Sequence, residues 1–206
     1  MAIQVLRDLR GLLIQVIHAP DTEGKALVEH LHRMGCKCEA TWPLPEAINP
    51  NANVVFISVD QESRRQILKL CNVTQRIPPT LIAVTSYEDP GTLQVVLECG
   101  ALAVVERPIR PFGLLTNLTI ARSLWIERQE ASKRMRKLER KLAGNNKILK
   151  AKEILMETQG LDEHDAYDTI RQQAMAKRMP MDELAAAIIN AHELLTVRIN
   201  PNKNKS

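Results

Sequence analysis

The chain has little with which to perform covalent chemistry. Its eight glycines are scattered singly along 206 residues, so no Gly-x-Gly-x-x-Gly turn and no Walker loop can cradle a phosphate. Gly-x-Ser-x-Gly and His-Glu-x-x-His are also missing, which removes the common nucleotide-dependent, acyl-transfer and zinc-hydrolase signatures and leaves a non-enzyme. The four cysteines, Cys36, Cys38, Cys71 and Cys99, have no disulfide-framework spacing, as expected of a reduced, cytoplasmic protein. Apolar runs are short: 12–17, 54–59 and 81–84 are strand-sized, far below the roughly 18–20 residues of a membrane span, so neither a membrane span nor a signal peptide is expected from the pattern. Aromatic residues number six, too few for a sheet that stacks bases as its binding platform.

What is present first is alternation. Strand-like runs at 12–17, 36–41, 54–59, 80–85 and 103–106 are separated by helical stretches at 22–34, 63–73 and 91–99. Continuous rather than alternating apolar strands imply a sheet covered on both faces. Strands divided by helices imply right-handed βαβ units, so the first 112 residues are expected to form an α/β, flavodoxin-like, doubly wound parallel sheet of five strands.

That order resembles a response-regulator receiver, and Arg107-Pro108 after the fifth strand is similar to the receiver's Lys-Pro. The phosphorylation chemistry of receivers is not matched. The first strand ends in His18-Ala19-Pro20 with Asp21 the only nearby acid, and the phosphoacceptor position falls on Ser58. A serine hydroxyl is neither a carboxylate nucleophile nor a hard-cation ligand of comparable strength. Asp60 lies two residues further on, in the loop, and Thr85 matches the switch hydroxyl with no acyl phosphate to sense. The expectation is a pseudo-receiver.

From about Pro111 the punctuation stops. One helix is expected from Phe112 to near Gln159, with Ala121, Leu124, Arg128, Ala131, Met135, Leu138, Leu142, Asn145 and Leu149 at heptad spacing. Leu124, Met135, Leu138, Leu142 and Leu149 are the predicted dimerisation residues of a parallel coiled coil. Charge is uneven: residues 1–120 hold 11 Lys/Arg against 12 Asp/Glu, and 121–206 hold 17 against 12. The excess lies in Arg128, Lys133, Arg134, Arg136, Lys137, Arg140, Lys141, Lys147, Lys150 and Lys152. Such a run is either the solvated face of the coil or a guide for a polyanion.

Beyond Gly160, Asp162 is a good N-cap with Glu163 and Asp165 in the first turn. Pro180 precedes a last helix carrying Leu184, Ala185, Ile188, Ile189 and Leu195 on one face. Ala151-Lys152, Leu155-Met156, Gly160, Ala166-Tyr167, Ile170-Arg171 and Ala174-Met175 follow the pattern A-K-x-x-L-M, G, A-Y-x-x-[LI]-R-x-x-A-M. This resembles the RNA-binding ANTAR domain of transcription antitermination regulators. The segment Trp42-Pro43-Leu44-Pro45 either caps the sheet edge or extends the likeness. With Cys36, Glu46 and Ala47 it is similar to amidase-operon members of that family.

The resemblance implies domains at 1–112 (pseudo-receiver), 113–146 (coiled coil) and 147–196 (ANTAR); the tail at 197–206, polar from Pro201 to Ser206, is expected to be disordered. It also implies a homodimer that binds hairpins in a leader mRNA to prevent termination. Control would come from a small-molecule-sensing, amide-binding negative regulator protein rather than from phosphorylation, with no cofactor and no membrane. Lys152, Gly160, Tyr167, Arg171, Ala174, Met175, Lys177 and Arg178 match the positions that face or shape the RNA side. Two other classes stay open, a DNA-binding response-regulator-like transcription factor and a pure interaction scaffold. A metal site at His30, His32, Cys36 and Cys38 is disfavoured, because two helical residues two apart lie about 200° around the axis.

Overall fold

The computed structural model describes residues 9–72, 77–86 and 89–196. The chain forms two compact units, Met1–Glu130 and Ala131–Ser206. The expected tail at 197–206 and the end of the expected helix at Val73 lie outside the described residues.

In the first unit the strands are β1 (Leu13–Ile17), β2 (Lys37–Thr41), β3 (Val54–Ser58), β4 (Thr80–Thr85) and β5 (Ala103–Glu106), and the helices between them are α1 (Thr22–Arg33), α2 (Arg64–Cys71) and α3 (Pro90–Glu98). The five strands are all parallel, in the order β2-β1-β3-β4-β5. This is the flavodoxin-like sheet expected from the alternation. The continuous apolar runs are explained by period-two burial on two covered faces. Ile14, Val16, Val54, Phe56, Ile82 and Val84 share one core with Leu27 and Leu31 of α1. Ile17, Val55, Ile57, Leu81 and Ala83 share the other with Ile67 and Leu70 of α2 and Val95 and Val96 of α3. Gln15, the polar residue buried inside β1, is satisfied: its Oε1 accepts from the Asn49 amide at 2.9 Å. Cys36 and Cys38 both pack against the α1-side core, and burial pushes the Cys38 thiol up to about 11.

The long helix α4 runs Pro111–Gln159. Proline at its first position has no N–H to leave unpaired and a φ suited to a helix start. Leu114, Leu118 and Ala121 are buried in the α1-side core. Ala121 is therefore not a seam residue, contrary to its heptad spacing; the sheet claims it. Trp125 Nε1 donates to the Pro78 carbonyl at 2.7 Å, under the Arg122 guanidinium at 4.2 Å from its ring centre.

The second unit packs the end of α4 against α5 (Glu163–Lys177) and α6 (Met181–Thr196). Its core is Ala151, Ile154 and Leu155 from α4, Ala166, Ile170 and Ala174 from α5, and Leu184, Ala185 and Ile189 from α6. Alanines at four of these nine positions let the helix axes approach closely. Leu195, expected on the apolar face, is instead exposed. α4 ends at Gly160, whose φ of +67° is cheap only without a Cβ. Asp162 then caps α5, accepting from the Asp165 amide at 2.7 Å. Among the described residues no helix is long and apolar enough to cross a membrane.

Candidate nucleic-acid interface

Among the described residues, the C-terminal ends of the strands bring together no cluster of three or more acidic side chains. Ser58, at the end of β3, accepts a hydrogen bond at 2.7 Å from Arg107 Nη2. Arg107 is thereby tied to a neutral hydroxyl. Asp21 is occupied as the N-cap of α1, its Oδ1 accepting from the Gly24 amide at 2.7 Å. That amide, aided by His18 and Arg107, holds the Asp21 carboxyl below its usual range. Asp60 Oδ1 accepts from the Ser63 amide at 2.7 Å, again a turn-capping role. Among the described residues no cluster of three or more His, Cys, Asp or Glu is placed to hold a metal. The Arg107–Ser58 bond leaves no trace in the sequence beyond a basic residue after β5 and a hydroxyl at the end of β3.

The second unit is different. α5 shows two adjacent stripes. Ala166, Ile170 and Ala174 face the core, and the next residue after each, Tyr167, Arg171 and Met175, is exposed. Spacing of four places Tyr167, Arg171 and Met175 one above another on a single face. Lys177 and Arg178, both exposed, close the C-terminal end of the helix beyond the stripe. Arg178 adopts a left-handed conformation, φ 53°, where the Met179 amide donates to the Ala174 carbonyl at 3.0 Å in a helix-closing turn. It is the non-glycine with positive φ among the described residues. An arginine there costs about 1 kcal/mol relative to glycine.

Two of the expected RNA-side residues are placed otherwise. Ala174 is only 3% exposed and belongs to the bundle core. Its small size is explained by helix packing, not by an approaching base, and it presents no surface to a ligand. The Lys152 side chain is 12% exposed, and its Nζ donates to Glu163 Oε1 at 2.5 Å. That hydrogen bond and charge hold the Glu163 carboxyl below the usual range. Lys152 thus joins α4 to α5, as Lys150 joins α4 to Glu193 of α6 at 3.2 Å. Gly160 sits in the α4–α5 turn, exposed.

On α4, Met135, Leu138, Leu142 and Leu149 lie between 50% and 63% exposed, and Leu124 is also exposed. These are large apolar side chains in no core cluster, at coiled-coil spacing.

Residues 12–122 match the family described as AmiR, N-terminal, and residues 129–189 match the ANTAR domain. The chain is 29% identical over 185 residues to the Aliphatic amidase regulator of Pseudomonas aeruginosa, covering 90% of this chain and 94% of that one. Among solved structures, the response regulator StyR is similar at a TM-score of 0.52 and 13% identity, over 88% of this chain and 99% of StyR. A CheY-like receiver domain protein from Methanospirillum hungatei JF-1 gives 0.47 at 16% identity, over 57% of this chain and 98% of that one. The likeness to StyR is one of fold alone.

Proposed function

The chain belongs to the AmiR N-terminal family and carries an ANTAR domain behind that region, the domain pair of antitermination regulators; on that premise we propose that it is a cytoplasmic RNA-binding antiterminator. It binds hairpins in a leader transcript and so holds off the competing terminator structure. The domain assignment is a pseudo-receiver at 1–112, a dimerising helix at 113–146 and an RNA-binding bundle at 147–196.

The observation that carries this reading is the exposed stripe Tyr167, Arg171, Met175 with Lys177 and Arg178 at its end. It offers one ring, one thioether and three cations on a helix whose neighbouring stripe is used by the core. Sequence-specific RNA recognition favours such surfaces against loops with splayed bases, since the A-form major groove is too narrow to read. An arginine in a strained left-handed position further supports a demand on its side chain beyond packing. Lys152 and Gly160 act at the α4–α5 junction, Lys152 reaching RNA only by leaving Glu163. α6 carries no Lys, Arg or Gln, so it lacks a triad of such residues to read a DNA major groove.

Two copies join through Leu124, Met135, Leu138, Leu142 and Leu149, and two linked bundles engage paired hairpins with effective-concentration gain. Because Ser58 and Arg107 are paired and both nearby acids serve as caps, control passes through a bound protein rather than a phosphoryl group. A relative named as an aliphatic amidase regulator supports an amide-sensing negative regulator as that partner.

The test is Arg171→Ala in the full chain. Binding to a two-hairpin leader RNA should weaken by about fivefold to 150-fold, the range of one lost nucleic-acid contact worth about 1–3 kcal/mol. Thermal unfolding should not change, because Arg171 is exposed. Equal affinity for that RNA would remove this surface from the assignment.

A further inference from the structure

Beyond the α5 stripe, the second unit has a groove of about 690 Å³ along α4, closed at one end by Met181 and Asp182 at the start of α6. Five cations line it: Lys133, Arg136, Lys137, Arg140 and Lys141. All five are exposed, and among the described residues none has a carboxylate partner; Arg136 donates to the Ser132 carbonyl and hydroxyl of its own helix. Asp182 is the one acid in the lining, so the groove holds a large net positive charge at close range.

Its position on α4 is not that of an ordinary solvated face. At 100° per residue the five cations centre about 160° around the helix from Met135, Leu138, Leu142 and Leu149. They continue the stripe that, at Ala151, Ile154 and Leu155, packs into the bundle core. The stripe changes character at Gly144, where Asp182 packs close enough that a Cβ on the glycine would lie 3.4 Å from the Asp182 Cβ. Past that point no described helix of the second unit lines it and the apolar side chains become cations. A dimer formed through the apolar seam leaves the groove facing outward in both copies.

We infer that this groove is a second, sequence-independent RNA site that holds the single-stranded phosphodiester backbone adjoining the hairpins. It rests on the RNA-binding reading above and adds a division of labour: α5 meets the loop, and the groove neutralises phosphates. Lys133 to Lys141 spans about 12 Å along the axis at 1.5 Å per residue, long enough for successive phosphates. Contacts of this kind fix register and orientation without reading bases, and each releases counterions, so its mark is salt dependence.

The experiment compares the full-length parent with Lys137→Gln/Arg140→Gln/Lys141→Gln, titrating a two-hairpin RNA and the same RNA with scrambled loops between 50 and 200 mM salt. At about 0.7 per neutralised phosphate on single strands, the slope of log affinity against log salt should become shallower by about two. The parent's advantage should then shrink about twentyfold across that range, equally for both RNAs. The pair Lys133→Gln/Arg136→Gln should lower the slope by about 1.4, and melting temperatures should stay put because all five side chains are exposed. Parent-like slopes in both variants overturn the groove and leave the α5 assignment standing. A parent that binds no hairpin RNA overturns both. Variants that bind RNA like the parent but lose poly-glutamate assign the groove to an acidic protein and overturn the RNA site.

Discussion

Replacing Leu142 by alanine tests whether the uncovered stripe on α4 holds two chains together. The side chain is 63% exposed in the single chain and belongs to no core cluster. Its removal therefore leaves the monomer's packing untouched. In a coiled coil it would become a knob in the partner helix. Burying a whole leucine is worth about 1.5–3 kcal/mol, and somewhat over half of that area remains to be buried. Truncation to alanine then forfeits about 1 kcal/mol per chain, or about 2 kcal/mol per dimer, which weakens the dissociation constant about thirtyfold. Sedimentation equilibrium across a concentration series reads that constant directly. Melting in the dilute limit, where no dimer contributes by mass action, should be the same for parent and variant. An unchanged dissociation constant would refute the seam. So would a parent chain that stays monomeric throughout the series.

Ala174→Leu should lower the melting temperature of the second unit, since overpacking a filled core costs about 1–3 kcal/mol and Ala174 is buried; RNA binding lost with stability intact would return Ala174 to the binding surface. Glu163 has a folded-state pKa depressed by Lys152, so its stabilisation is present above the ordinary carboxylate range and is lost as pH falls through the depressed value. Melting followed from pH 7 into that acid range should fall less steeply for Glu163→Gln than for the parent, and parallel curves would show that the Lys152 pair contributes nothing.

The receiver-like sheet was legible because its physical signal is local. Two covered faces demand unbroken apolar strands, and Gly35 and Gly100 punctuate the helix ends at positive φ. β4 and β5 emerged with the bounds their apolar runs suggested. The exposed members of the α5 stripe were legible for a similar reason, as helical period ties Tyr167, Arg171 and Met175 to one face. Ala121 and Ala174 were misplaced because alanine is equally at home in a seam, on a surface or in a core. Which of these it occupies depends on what approaches it, and that is a property of the neighbouring elements.

Composition and periodicity by themselves determined a doubly wound sheet, an unbroken helix and a small helical bundle with surplus positive charge. They did so because burial patterns repeat every two or 3.6 residues whatever lies across from them. Tertiary structure alone decided that Lys152 is held by Glu163, that Ser58 engages Arg107, and that five cations of α4 gather beside the start of α6. Each of these joins residues distant along the chain, or neighbours beside a distant element, and no local spacing encodes how near two such groups will come.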